Sequence, residues 1–161
     1  MKKVETVAAS VAERLARGIM ACAPESDPRA LPIARRLLLD IGGICVAARH
    51  EPYVAAALAS IDQPGPCTVI GSALTLGVEG AAFVNGTAAH GEDFDDTYEG
   101  GPVHAGAVIV PALLAAAQRH RCSGADLLRG IAVGVEVTCR LCSVAPMKVH
   151  KAGFHQPPSS A

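Results

Sequence analysis

The sequence predicts an all-α helical bundle, and three observations carry that expectation. Half of the 161 residues are hydrophobic, yet only 3% are aromatic and none is Trp. Ala dominates the apolar set, which suits closely packed helices better than an aromatic-rich sheet. Apolar residues also recur at helical spacing along most of the chain. The length fits a single helical domain over residues 1–161 with a sizeable core. A net charge of -1 supplies no global field that would recruit nucleic acid or an anionic membrane.

Val4, Val7, Ala8, Val11, Leu15 and Ile19 trace one face of an amphipathic helix over roughly residues 4–22, with Glu13 and Arg17 as an i,i+4 pair. Met1-Lys2-Lys3 leads into that helix rather than into a signal peptide, and no apolar run reaches the length of a membrane span. A cytoplasmic protein with six reduced cysteines is the expectation. Pro24 to Pro28 is a break, after which Ser26 or Asp27 is expected to cap a second helix with Pro28 at its first position. That helix carries Leu37, Leu38, Ile41, Ile44 and Cys45, and Gly42-Gly43 within it suggests a close helix–helix approach. Tyr53 to Ile61 reads as a short helix ended by Gln63-Pro-Gly-Pro66, with 68–71 as a brief extended segment.

A buried helix is expected from about Gly77 to His90, and another from Ala105 to Cys122 bent at Pro111. Ser123 and Asp126 form a capping-box pattern for a last helix, Ala125 to Cys142, on which Glu136 and Arg140 pair. Cys139-x-x-Cys142 has neither a second ligand pair nor a helix N-terminus, so it reads as two small buried hydrophobes. Residues 143–161 have no helical period and are basic around Lys148, His150 and Lys151.

Between the two buried helices lies the densest chemistry of the chain. His90, Glu92, Asp93, Asp95, Asp96, Thr97 and His104 fall within fifteen residues, interleaved with Phe94, Gly100, Gly101 and Pro102. Acids this close repel one another and are costly to bury unless paired, protonated or metal-bound. A solvated connector is the plain alternative, but a shaped Gly/Pro/Phe loop between apolar helices points to a site. Two chemistries fit. In acid/base work His104 exchanges protons, a carboxylate orients it and Thr97 hydrogen-bonds the substrate. In metal binding His90, Asp93, Asp96 and His104 are the candidate ligands, although the spacing matches no standard metal motif. His150, Lys151 and His155 could bring positive charge to the acids from the C-terminal stretch.

At Asn85-Gly86-x-x-x-His90-x-x-Asp93-Phe-Asp-Asp-Thr97, followed by His104 and Val110-Pro111-Ala-Leu-Leu, the sequence resembles the MmgE/PrpD family. That family includes 2-methylcitrate dehydratase, cis-aconitate decarboxylase and iminodisuccinate epimerase. Leu39-Asp40-x-x-Gly43, Ser123-Gly124-x-Asp126-Leu127, Gly134-x-Glu136-x-x-x-Arg140 and Gly153-Phe154-His155 resemble further family motifs in the right order. The resemblance implies a large helical domain completed by a smaller α/β lid, a homodimer, and a site that needs neither metal nor other cofactor. It implies a lyase or isomerase that moves a proton next to a carboxylate of a small di- or tricarboxylate, with dehydration, decarboxylation or epimerisation as the outcome. His104 is then the leading acid/base and Asp93 orients it. His155 completes the catalytic set, and Thr97, Asp96 and Lys151 lie against substrate.

Two departures qualify the likeness. Gly100-Gly-Pro-Val-His104-Ala-Gly106 replaces the His-Pro-Ser of many relatives and is closer to the epimerase-like members. Family members also run far beyond residue 161, and a Lys and a Tyr of their site lie in that portion. Gln156-Pro-Pro-Ser-Ser-Ala161 stands where relatives have a sequence resembling Pro-Thr-Ala-Val-Phe-Gly, which suggests a frameshifted or truncated product with impaired activity. The alternatives from other classes are a non-catalytic helical interaction module and a metal-binding, hydrolase-like site on the acidic loop.

Overall fold

The computed structural model describes residues 9–145 and 147–152. It is a helical assembly with one small hairpin, as composition and periodicity predict. The helices are α1 (Val11–Met20), α2 (Ala30–Ala48), α3 (Pro52–Ala59), α4 (Val78–His90), α5 (Ala105–His120), α6 (Gly124–Val144) and the short α7 (Lys148–Lys151). A single 3-10 turn, Pro24–Ser26, links α1 and α2. Strands β1 (Pro64–Thr68) and β2 (Thr75–Leu76) pair antiparallel between α3 and α4. No helix among the described residues is long and apolar enough to cross a membrane.

Local chemistry explains the boundaries. In α1 the side chain of Ser10 accepts from the backbone N–H of Glu13, whose carboxylate accepts from the N–H of Ser10. Glu13 is thus used in a capping box rather than in the expected pair with Arg17. Helix α2 begins later than expected, at Ala30. Asp27 accepts from the N–H and guanidinium of Arg29 instead of sitting at the cap. Pro32 falls in the first turn, where its missing N–H has no intrahelical partner to lose. Pro52 opens α3 in the same way. Helix α6 starts on the predicted Ser123–Asp126 capping box and carries the predicted Glu136–Arg140 pair.

The core lies between α2, α4, α5 and α6, where Ile41, Cys45, Val84, Val110 and Ile131 are fully buried. Gly86 sits where α4 meets α5, and an added Cβ there would make an ordinary contact of 3.5 Å with the carbonyl oxygen of Ala107. Gly42 and Gly43, by contrast, have open space beside them among the described residues, so the expected close approach does not occur there. Helix α1 buries no side chain, and Val11 is 79% exposed despite its apolar face.

The hairpin begins earlier than the extended segment expected at 68–71. Pro64 and Pro66 cannot donate to a ladder, and a bulge between Pro64 and Cys67 accommodates them. Two amides complete its polar contacts. Asn85 of α4 donates to the Thr68 carbonyl at 2.9 Å and accepts from the Ile70 N–H at 2.9 Å. Gln118 of α5 accepts from the Thr68 N–H at 2.8 Å and donates to its hydroxyl at 2.7 Å. Asn85 belongs to the motif that suggested the family, and its position gives it a packing role rather than a chemical one.

Candidate active site

The site is built where α4 ends and α5 begins. His90 is the last residue of α4, and Gly91 caps it with its N–H on the Thr87 carbonyl at 3.0 Å. A Cβ at 91 would overlap the ring of Tyr53, so any larger residue there requires that ring to shift. Burial raises the Tyr53 phenol to about 12, with the nearby Glu92 carboxylate adding to the rise. Asp93 then takes a left-handed conformation, φ 57°, which Asp tolerates better than most residues. From Phe94 the chain turns back: Phe94 is exposed, Asp95 is buried, and Tyr98 and Val103 close the loop through a backbone bond of 3.1 Å. The Tyr98 hydroxyl reaches Ser143 of α6 at 3.2 Å.

Asp95 is the electrostatic centre of this arrangement. Its side chain has 0% exposure, and His90 Nδ1 lies 3.0 and 3.2 Å from its two oxygens. His104 Nδ1 lies 3.3 Å from Asp95 Oδ2, within ion-pair reach but without hydrogen-bond geometry. The two imidazole rings meet edge to face at 4.9 Å. On its other side, His104 Nε2 is 3.6 Å from an oxygen of Asp93, whose side chain is 74% exposed. Among the described residues the buried carboxylate beside His104 is therefore Asp95, while Asp93, the acid expected to orient it, faces the outward nitrogen.

Asp96 is held elsewhere. Its Oδ1 accepts from the Gly106 N–H at 2.8 Å, which places a carboxylate at the positive end of α5. Burial pushes the Asp96 carboxyl above the usual carboxylate range. The bond from Gly106 opposes that shift, the Asp95 charge adds to it, and His104 opposes it. Burial also raises the Cys139 thiol, with the Asp96 carboxylate contributing, so this cysteine is no activated nucleophile. Cys139 and Cys142 are free thiols, and Cys142 is buried.

Asp96 and Thr97 line an open groove of about 950 Å³ along α2 with Arg36, Asp40 and apolar side chains such as Leu37 and Ile44. Arg36 is exposed, and the sequence carries no local signal for its position, since some sixty residues separate it from the loop. Neither imidazole belongs to that lining. Lys151 ends α7, exposed, and makes no ion pair with the acidic loop among the described residues. His155 lies outside the described residues.

One ligand atom from each of His90, Asp93, Asp95 and His104 lies within 4.8 Å of the others, so this group could hold a borderline divalent cation. The set differs from the expected one by Asp95 in place of Asp96, because Asp96 is turned to the start of α5.

The sequence comparisons agree with the motif likeness. The model of the MmgE/PrpD N-terminal domain matches residues 13–159. A cis-aconitate decarboxylase-like protein, oryM, of Aspergillus oryzae is 35% identical over 120 residues, 68% of this chain and 25% of its own length. Cis-aconitate decarboxylase of Aspergillus terreus is 35% identical over 112 residues, 64% of this chain and 23% of its own. The human cis-aconitate decarboxylase is 42% identical over 83 residues, 49% of this chain and 17% of its own. The chain thus spans about a quarter or less of the length of these relatives. No solved structure matches it. With the motifs in order, a helical fold and a family match over almost the whole chain, the protein belongs to the MmgE/PrpD family through its N-terminal domain.

Proposed function

We propose that this chain forms one wall of a lyase site that moves a proton at the carbon next to a carboxylate of a small di- or tricarboxylate. The observation that carries the reading is the buried Asp95 carboxylate behind His104. It lies 3.3 Å from Nδ1 of the imidazole, whose Nε2 faces the exposed Asp93. Nε2 accepts the substrate proton as a general base, and the imidazolium so formed is stabilised by Asp95 on one side and Asp93 on the other. In a dehydration the carbanion pair forms the double bond, and the imidazolium passes its proton to the departing hydroxyl, which leaves as water. In a decarboxylation it protonates the carbanion that CO2 leaves behind. An epimerisation needs a second donor on the opposite face.

The relatives named cis-aconitate decarboxylase favour loss of CO2 from an unsaturated tricarboxylate. Thr97, Asp96 and Lys151 contact the substrate in this reading, Arg36 faces one of its carboxylates, and His155 completes the catalytic set. No cofactor is needed for such steps. A homodimer in the cytoplasm, completed by the further length present in relatives, is the working form. The acidic loop has no Lys or Arg of its own to neutralise a polyanion, so the 161-residue chain alone is expected to be impaired.

A substrate screen in heavy water tests this reading. 2-Methylcitrate, cis-aconitate and iminodisuccinate are offered to the chain alone and to a version extended with the remainder of a relative. Deuterium incorporation or CO2 release in the extended form, lost in His104→Gln, is the expected result. No exchange and no turnover in either form with any of the three would sink it.

The compact set His90, Asp93, Asp95 and His104 favours one second reading, a metal-binding, hydrolase-like centre. Equilibrium dialysis against zinc decides between them. Tight stoichiometric zinc that is lost in Asp95→Asn supports the second reading, and no retained zinc rejects it.

A further inference from the structure

A carboxylate with no exposed surface is costly unless donors meet it. His90 makes the shorter approach to Asp95, reaching both oxygens at 3.0 and 3.2 Å, while His104 reaches one of them at 3.3 Å. Since an ionised carboxylate only accepts, His90 meets it with Nδ1–H. The same charge, 3.3 Å from His104 Nδ1 in an approach without hydrogen-bond geometry, favours a proton on that nitrogen. His90 is in turn fixed by the last turn of α4, whose carbonyl end favours a donor or cation there. Its ring packs against that of His104 at an interplanar angle of 66°.

We propose that His90 is a positioning residue. By donating Nδ1–H to Asp95 it fixes the carboxylate so that Oδ2 faces His104 Nδ1. That keeps the proton of the neutral His104 ring on Nδ1 and its proton-accepting lone pair on Nε2. This deepens the acid/base reading above and rests on that reading for its kinetic consequence only. Without the donor at position 90, Asp95 turns toward other partners and His104 shares its proton between both nitrogens.

Ring-nitrogen NMR of the 161-residue chain, at a pH high enough for neutral rings, reads the tautomer without any substrate. Wild-type His104 is expected as the Nδ1–H form. His90→Asn keeps an amide donor near Asp95 and should retain that form, whereas His90→Leu removes the donor and should lose it as the major species. Backbone amide spectra report whether each variant is folded. In the extended, active form, His90→Leu should lower kcat with little change in KM, and His90→Asn should recover most of it.

A wild-type His104 carrying its proton on Nε2 overturns the proposal, whatever the variants do. So does a folded His90→Leu with the wild-type tautomer. Failure of every substrate to react sinks the lyase reading but leaves the tautomer result standing, so the two failures are distinguishable.

Discussion

His104 is the residue on which the acid/base reading depends most directly. Removing a positioned general base typically costs about 10²–10⁴ in rate, so His104→Gln in the extended form should lower kcat by that order while leaving the fold unchanged by circular dichroism. Asp96 tests the electrostatics from the other side. Its folded-state pKa is raised, so the favourable contribution of this carboxyl is present below its unfolded value near 3.8 and is lost as pH rises through the raised value. The groups facing it are Asp95, His104 and Cys139, with Arg36 and Asp40 along the groove. Asp96→Asn keeps an acceptor for the Gly106 N–H and removes the buried charge. Urea unfolding should therefore show the variant at least as stable as wild type at pH 7, with a smaller gain on acidification. Which acid turns inward was not legible in the sequence. Asp93, Asp95 and Asp96 are alike by type, and the selection depends on the left-handed turn at Asp93, which sends Asp95 under the two imidazoles.

Two helices start with the same device and should respond differently to its loss. Ser123 and Asp126 cap α6, which packs Ile131 into the core, so Ser123→Ala should cost about 1 kcal/mol of global stability by chemical denaturation. Ser10 and Glu13 cap α1, which buries nothing. Ser10→Ala should lower helix content slightly and leave the global unfolding midpoint where it was, because fraying of α1 opens no core. Elements with local signals were the legible ones: the α6 cap follows from Ser123 and Asp126, and the starts of α4 near Gly77 and of α5 at Ala105 follow from the apolar runs that begin there. The hairpin was legible only in part. Two prolines and a glycine read as a loop, and the groups that satisfy its backbone, Asn85 and Gln118, come from helices that follow it in the chain. No window around β1 contains that information.

At the scale of the whole molecule, stability rests on one shared core. Ile131→Ala should cost about 2–5 kcal/mol, read as a lowered urea midpoint, because the side chain is fully buried among α2, α5 and α6. The groove along α2, with Leu39 77% exposed beside Arg36 and Thr97, was invisible to sequence reasoning because it joins side chains far apart in the chain. The two imidazoles lie at the ends of α4 and α5, helices packed directly against each other, while most of the loop between them is in contact with solvent. Their spacing is therefore set by the scaffold and not by the connector. The exposed Glu99 at the tip can therefore change without altering the separation of the two rings.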